Sequence, residues 1–95
     1  MSEKNPEQVR VRHILVDQDY EARDLIRKLQ DGEKFDELAQ RFSKCPSSRR
    51  GGDLGHFGRG RMVESFEQAA FALQVGETSG PVKTQFGYHV IYREE

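Results

Sequence analysis

The apolar residues in the segment 9–16 first alternate with arginines and then run together, which predicts a strand with buried side chains. Successive side chains on a strand point to opposite faces. One predicted face carries Val9, Val11, His13 and Leu15, and the other carries Ile14 and Val16. The pattern therefore places His13 on regular secondary structure. Residues 1–7 are polar and include Pro6, and they are predicted to form a flexible tail ahead of a single domain at 8–95.

Three later stretches have apolar residues at helical spacing. Their apolar positions are Ala22, Leu25, Ile26 and Leu29, then Phe35, Leu38, Ala39 and Phe42, then Phe66, Ala69, Ala70 and Leu73. Capping candidates at 17–19 precede the first helix, and Asp31 and Gly32 close it. Ser65 is expected to cap the third helix, with Gln68 as the second half of a capping box. Residues 43–53 are predicted to form a loop.

The carboxyl-terminal part of the chain has the pattern of a hairpin. Residues 82–84 and 88–92 favour strands around a turn at 85–87, and a further short strand is expected near 53–57. Strands at both ends of a chain that encloses helices indicate an α+β domain. We expect one four-stranded, mainly antiparallel sheet surrounded by helices, in which the first and last strands pair at the centre.

Length and charge narrow the classes of function. The chain has 95 residues, enough for one domain, and its 15 basic and 16 acidic side chains give a net charge of −1. A nonspecific nucleic-acid binder usually carries a strong positive excess, so nucleic acid is not expected as a partner. No apolar run approaches the roughly 18 residues of a membrane span, and no signal peptide is visible. We expect a cytoplasmic monomer, unless the chain is excised from a longer exported protein.

Three groups of residues could carry chemistry. His13 and His89 both lie in strand patterns, so neighbouring strands would let the two imidazoles share a proton, or simply satisfy each other in the core. Cys45 is the only cysteine, which excludes an intramolecular disulfide, and it is either a thiol with cationic neighbours or an idle small residue. An apolar set beside glycine-rich turns could line a pocket for a ring such as proline or belong to the core: Leu54, Phe57, Met62, Phe66 and Phe86.

A metal site is not expected. The candidate ligands His13, Cys45, His56 and His89 are widely spaced, with no short chelating pair. The glycine-rich segment around 51–60 lacks the strand and helix context of a phosphate-binding loop. No cofactor is therefore predicted.

Several phrases of the sequence, taken together, resemble the parvulin-type peptidyl-prolyl cis/trans isomerases. They are His-Ile-Leu-Val at 13–16, Gly-Glu-Lys-Phe-Asp-Glu-Leu-Ala at 32–39, Cys-Pro-Ser at 45–47, Gly-Gly-Asp-Leu-Gly at 51–55 followed by Phe57, Met62 and Phe66, Gly-Pro-Val at 80–82, and Phe-Gly-Tyr-His-Val-Ile at 86–91. The match covers about 9–93 and is most similar to the small single-domain bacterial parvulins.

The resemblance implies a β-α3-β-α-β2 fold and a peptidyl-prolyl isomerase (rotamase) that assists protein folding. By position, His13 and His89 match the paired histidines, Cys45 the place held by Cys or Asp, and Thr84 the hydroxyl near the histidines. The proline pocket would be formed by Leu54, Met62 and Phe66. Phe86 departs from relatives that have serine there and would add an apolar wall. The implied partners are proline-containing peptides or unfolded protein clients.

One departure bears on specificity. Phosphate-directed relatives have a basic loop after the first strand, whereas residues 17–21 here are largely acidic. This predicts a phosphorylation-independent enzyme that prefers a neutral or apolar residue before proline. A noncovalent role is favoured for Cys45 over attack by its thiolate. The alternatives are a non-catalytic peptide-binding or holdase chaperone module and nucleic-acid binding through the basic segment 44–61.

Overall fold

The computed structural model describes residues 7–95, so most of the predicted tail lies outside the described residues. The elements are β1 (Gln8–Val16), α1 (Asp19–Gln30), α2 (Phe35–Phe42), a 3-10 helix (Pro46–Arg50), β2 (Asp53–Gly58), α3 (Glu64–Ala72), β3 (Val82–Thr84) and β4 (Gly87–Arg93). This order confirms the predicted α+β class. Within residues 7–95, no helix is both long and apolar enough to cross a membrane.

The four strands form one antiparallel sheet in the order β2-β1-β4-β3. The first and last strands of the chain are therefore the central pair, as the sequence predicted. Their register pairs His13 with Ile91 and Leu15 with His89. Because His13 and His89 are diagonal neighbours on one face, their rings can meet.

Each face of the sheet has its own core. On one face, side chains from α3 and from the strands form a single cluster: Val9, Val11, Phe57, Phe66, Ala70, Leu73 and Ile91. On the other face, side chains from α1, α2 and the two central strands form a second cluster: Ile14, Val16, Ala22, Leu25, Leu38, Ala39 and Val90. The alternation read from β1 is confirmed: odd-numbered positions face α3, and Ile14 and Val16 face the other helices.

Two local expectations need correction, and one is confirmed. Helix α3 begins at Glu64 after Val63, so Ser65 already lies inside the first turn and is not the cap, and Gln68 donates to Glu64 instead. The predicted capping segment of α1 at 17–19 is confirmed, since its middle residue, Gln18, is the cap. The loop at 43–53 contains the 3-10 helix, which is the third helical segment between β1 and β2.

The turn after the 3-10 helix packs tightly against β1 at His13. The carbonyl of Gly52 accepts the His13 backbone N–H at 3.0 Å. Gly52 has φ +86°, and a Cβ atom there would lie 2.4 Å from the His13 carbonyl oxygen. Only glycine fits this approach without displacing the strand. The turn therefore holds the backbone of His13 in place.

Candidate active site

The two predicted histidines lie against each other on the α3 face of the central strands. Their Nδ1 atoms are 3.0 Å apart, their ring planes are 18° from parallel, and each residue is only 4% exposed. Phe66 presents its ring edge-on to both imidazoles, with centroid distances of 5.4 Å to His13 and 5.1 Å to His89. The pairing that the sequence left open is thus present, on a rigid part of the sheet.

Burial keeps both imidazoles neutral. Desolvation and, to a smaller extent, the positive charge of the neighbouring His89 together lower the pKa of His13 to about 4. Desolvation also lowers the pKa of His89 to about 4. At neutral pH each ring therefore has one N–H, and one Nδ1 donates to the other.

Thr84 extends this pair into a chain of hydrogen bonds. Its Oγ1 lies 2.7 Å from Nε2 of His89 and accepts the backbone N–H of Phe86 at 3.1 Å. If the hydroxyl donates to His89, then His89 donates to His13, and Nε2 of His13 carries a proton. If His89 donates to the hydroxyl, the chain reverses and Nε2 of His13 is an acceptor. This buried Nε2 has no hydrogen-bond partner within the described chain.

An apolar cavity of about 480 Å³ opens beside the histidine pair. It is lined by His13, Leu15, Lys44, Cys45, Pro46, Leu54, Arg61, Met62, Val63, Phe66, Phe86 and His89. Seven of the eight predicted site residues are in this set, and the eighth, Thr84, contacts His89 directly. The structure therefore brings all eight together. Phe86 is 60% exposed and forms an outer wall.

Cys45 lies at the rim, immediately before the 3-10 helix, and is partly exposed. Its backbone N–H donates to Oγ of Ser43 at 3.3 Å, and the same oxygen accepts the backbone N–H of Leu15. The imidazole nitrogens of the pair contact each other and Thr84, and the remaining Nε2 of His13 is unpartnered. No imidazole of this pair hydrogen-bonds the thiol.

Five lining residues were missed as site residues by the sequence analysis: Leu15, Lys44, Pro46, Arg61 and Val63. Leu15 shares the face of His13, two positions along β1, so the strand pattern carried a usable signal. The others are chain neighbours of Cys45 or Met62, and only the fold of their loops brings them to the cavity.

The four candidate metal ligands do not form one cluster, because His56 lies apart from His13, Cys45 and His89. His56 is exposed and its Nε2 lies 2.7 Å from a carboxylate oxygen of Glu95, away from the histidine pair. Across residues 7–95, the structure contains no group of three or more His, Cys, Asp or Glu side chains arranged to hold a metal ion.

Comparisons with known proteins agree with this geometry. A family described as Rotamase: PPIC-type PPIASE domain matches residues 13–95. Foldase protein PrsA of Geobacillus kaustophilus is 51% identical over 84 residues, which cover 87% of this chain and 30% of that protein. The chain thus spans about a third of the length of the curated relatives it matches.

Solved structures give the same result. The crystal structure of PrsA from Bacillus anthracis superposes with a TM-score of 0.92 at 40% identity, over 94% of this chain and 42% of that one. The solution structure of NmPin, the parvulin of Nitrosopumilus maritimus, superposes with a TM-score of 0.87 at 45% identity, over 97% of this chain and all of that one (100%). The chain therefore belongs to the PPIC-type peptidyl-prolyl isomerase family, the parvulins.

Proposed function

We propose that this domain catalyses cis/trans isomerisation of X-Pro bonds in peptides and unfolded protein clients, and so assists protein folding. One observation carries the proposal: an apolar cavity lined by Leu54, Met62 and Phe66 lies directly against a buried, neutral histidine pair. Membership of the parvulin family and similarity to proteins named foldase support it.

The cavity suits the reaction because the barrier is electronic. Double-bond character in the C–N bond holds the amide planar, and X-Pro bonds isomerise uncatalysed over tens of seconds or more. Water hydrogen bonds favour the planar, charge-separated amide. A proline ring held among Leu54, Met62 and Phe66 is removed from water. Loss of those water hydrogen bonds favours the twisted and less polar amide. Each tenfold gain in rate requires about 1.4 kcal/mol of such differential stabilisation.

The histidine pair would supply a polar wall without a charge. A cationic imidazole would stabilise the charge-separated planar amide, whereas the lowered pKa of both rings keeps the wall neutral. The chain of hydrogen bonds from Thr84 through His89 to His13 can adopt either direction, so its protons can rearrange while both rings stay neutral.

We assign Cys45 a noncovalent, polar role at the cavity rim. An adjacent general base is a common way to activate a thiol nucleophile. Neither imidazole of the pair makes that contact, since their nitrogens are directed to each other and to Thr84 or are unpartnered. The cavity therefore acts by solvation and positioning of the proline.

We further propose that catalysis needs no phosphate on the client. Lys44, a cation at the cavity rim, pairs with Asp17 of the acidic segment after β1, with 3.1 Å between Nζ and Oδ2. Carboxylates at 17, 19 and 21 surround the place where a basic loop would be needed. Asp17 offsets the positive charge of Lys44, which disfavours a doubly charged phosphate at this part of the rim.

Exchange between cis and trans X-Pro peptides, measured by two-dimensional NMR, tests the activity. The panel is Ala-Pro, Leu-Pro, Arg-Pro, Glu-Pro and phosphoserine-Pro. Accelerated exchange in unphosphorylated peptides is expected. Acceleration of phosphoserine-Pro alone would overturn phosphate independence. Peptide-induced shifts at Leu54, Met62 and Phe66 without any acceleration would identify a binding or holdase module.

Two further predictions concern the protein as a whole. We propose a cytoplasmic location unless the chain belongs to a longer exported protein, and fractionation of cells that carry the natural protein tests it: recovery outside the cytoplasm would contradict it. The monomeric state is tested by analytical ultracentrifugation of this chain, where a concentration-dependent rise in sedimentation coefficient would contradict it.

A further inference from the structure

On one edge of β1, the strand β2 reaches only as far as Arg12, which pairs with Asp53. The next backbone N–H on this edge, that of His13, donates to the carbonyl of Gly52 in the turn before β2. Backbone groups along a strand edge are strong donors and acceptors, and they need partners. Beyond this point, the N–H and carbonyl of Leu15 must therefore be paired by another part of the chain.

The segment 43–45, which follows α2, supplies these partners. The backbone N–H of Lys44 donates to the carbonyl of Leu15 at 2.8 Å. The backbone N–H of Leu15 donates at 3.0 Å to a side-chain oxygen, Oγ of Ser43. The same Oγ accepts the backbone N–H of Cys45 at 3.3 Å. One hydroxyl thus takes the place that the carbonyl of a neighbouring strand would have, and it joins β1 to the segment after α2.

Both residues that donate to this hydroxyl line the cavity. Leu15 is the register partner of His89, a member of the histidine pair. Cys45 belongs to the segment 44–46, each residue of which lines the cavity. Ser43 itself is not a lining residue. It therefore acts on the site only through the two residues that it holds.

We propose that Ser43 is a positioning residue of the isomerase site, whose hydroxyl holds the cavity wall at 44–46 against β1. This inference rests on the proposed isomerase function and extends it. Loss of the hydroxyl leaves the N–H groups of Leu15 and Cys45 without their acceptor, which is unfavourable for partly buried groups. The hydrogen bond from Lys44 to Leu15 remains, so the segment stays attached. The wall is then no longer held in one position, and it binds the client less tightly.

A second serine of the same loop provides a matched control. Ser43 and Ser47 lie two residues before and two residues after Cys45. The hydroxyl of Ser47 is buried and has no hydrogen-bond partner within the described residues. Substitution by alanine removes one oxygen atom at either position. Only at Ser43 does it remove an acceptor that the described structure uses.

The test measures cis/trans exchange of a short Ala-Pro peptide at several peptide concentrations, corrected for the folded fraction. Ser43→Ala should raise KM about threefold to tenfold, as expected for the loss of one or two hydrogen bonds, with kcat nearly unchanged. Ser43→Thr keeps the hydroxyl and should restore most of the affinity. Ser43→Cys, whose sulfur is a weaker acceptor, should give an intermediate KM. Ser47→Ala should leave both constants near those of the unchanged chain.

Amide hydrogen exchange reports the same hydrogen bonds directly. In Ser43→Ala, the amides of Leu15 and Cys45 should exchange faster, whereas that of Lys44, whose acceptor is a carbonyl, should change less. Equal KM values for Ser43→Ala and Ser47→Ala would overturn the positioning role. A KM for Ser43→Thr as high as that for Ser43→Ala would overturn it too. Failure of the unchanged chain to accelerate exchange would instead overturn the isomerase proposal.

Discussion

The two faces of the central strand pair have the same backbone but different chemistry. On the α1 and α2 side, Ile14 and Val90 are fully buried in an apolar core that is closed around these two residues. On the α3 side, the adjacent positions 13 and 89 carry imidazoles, and the core gives way to an open cavity. Because side chains alternate along these two strands, Ile14 and Val90 stabilise the fold while His13 and His89 face the cavity.

This difference explains how the fold tolerates buried polar groups at the site. A buried imidazole without full hydrogen bonding is destabilising, and Nε2 of His13 has no partner in the described structure. Apolar packing on the reverse face, together with the tight approach of Gly52, holds the strand against that cost. The comparison predicts that substitutions in the core under α1 and α2 reduce stability without a loss of activity per folded molecule, whereas substitutions of cavity residues on the α3 face reduce activity.

The largest effect is expected from Ile14→Ala in the closed core. Removal of a fully buried aliphatic side chain costs about 2–5 kcal/mol, because a cavity remains. The free energy of unfolding, measured by urea denaturation, should fall by that amount. The exchange rate per folded molecule should stay near that of the unchanged chain. A variant that keeps its stability would break the division between faces.

The next effect is a loss of stability on acidification. The pKa of each paired histidine falls from 6.5 in the unfolded chain to about 4 in the fold, so the unfolded state binds more protons between these values. The free energy of unfolding therefore carries its full contribution from these histidines above pH 6.5. It falls as the pH drops towards 4, by about 3 kcal/mol for one imidazole.

Denaturation curves across this pH range measure the slope, and a His13→Asn, His89→Asn double variant should flatten it. The pKa of Asp53, lowered to about 2 chiefly by its hydrogen bond with Arg10, makes its own stability contribution disappear only below about pH 4. An unchanged slope in the double variant would show that other groups cause the acid sensitivity.

A smaller effect is expected from Gly52→Ala, with Gly55→Ala as its control. Both glycines have positive φ, so alanine costs about 1–2 kcal/mol of backbone strain at either position. Only at Gly52 would the new Cβ meet the His13 carbonyl, while nothing lies within 4 Å at Gly55. Gly52→Ala should therefore lower kcat/KM in addition to stability, and equal kinetics for both variants would contradict this positioning role.

The smallest effects are expected at Cys45. A noncovalent role predicts that Cys45→Ala retains measurable isomerase activity and that Cys45→Asp, which restores a polar group, retains more. Their kcat/KM values for an Ala-Pro peptide decide the point. Complete inactivity of Cys45→Asp, matching a variant that destroys the proline pocket, would favour covalent catalysis.

The sequence predicted the features that rest on short-range periodicity. Alternation in β1 placed His13 and Ile14 on opposite faces, and helical spacing located all three α-helices. It failed at the N-cap of α3, where Ser65 was predicted and Val63 is observed. A shift of a helix start by one or two positions hardly changes the hydrophobic pattern. It also missed Arg61 and Lys44 as lining residues, since the path of a loop depends on tertiary packing.

The most direct test of the division compares Met62→Ala with Ile26→Ala. Both residues are partly buried apolar side chains, but Met62 packs on the α3 face and lines the cavity, while Ile26 packs on the other face. The measurement is cis/trans exchange of a short Leu-Pro peptide, corrected for the folded fraction. The account predicts that Met62→Ala loses most of the acceleration and Ile26→Ala keeps it. Equal acceleration by the two variants would contradict it.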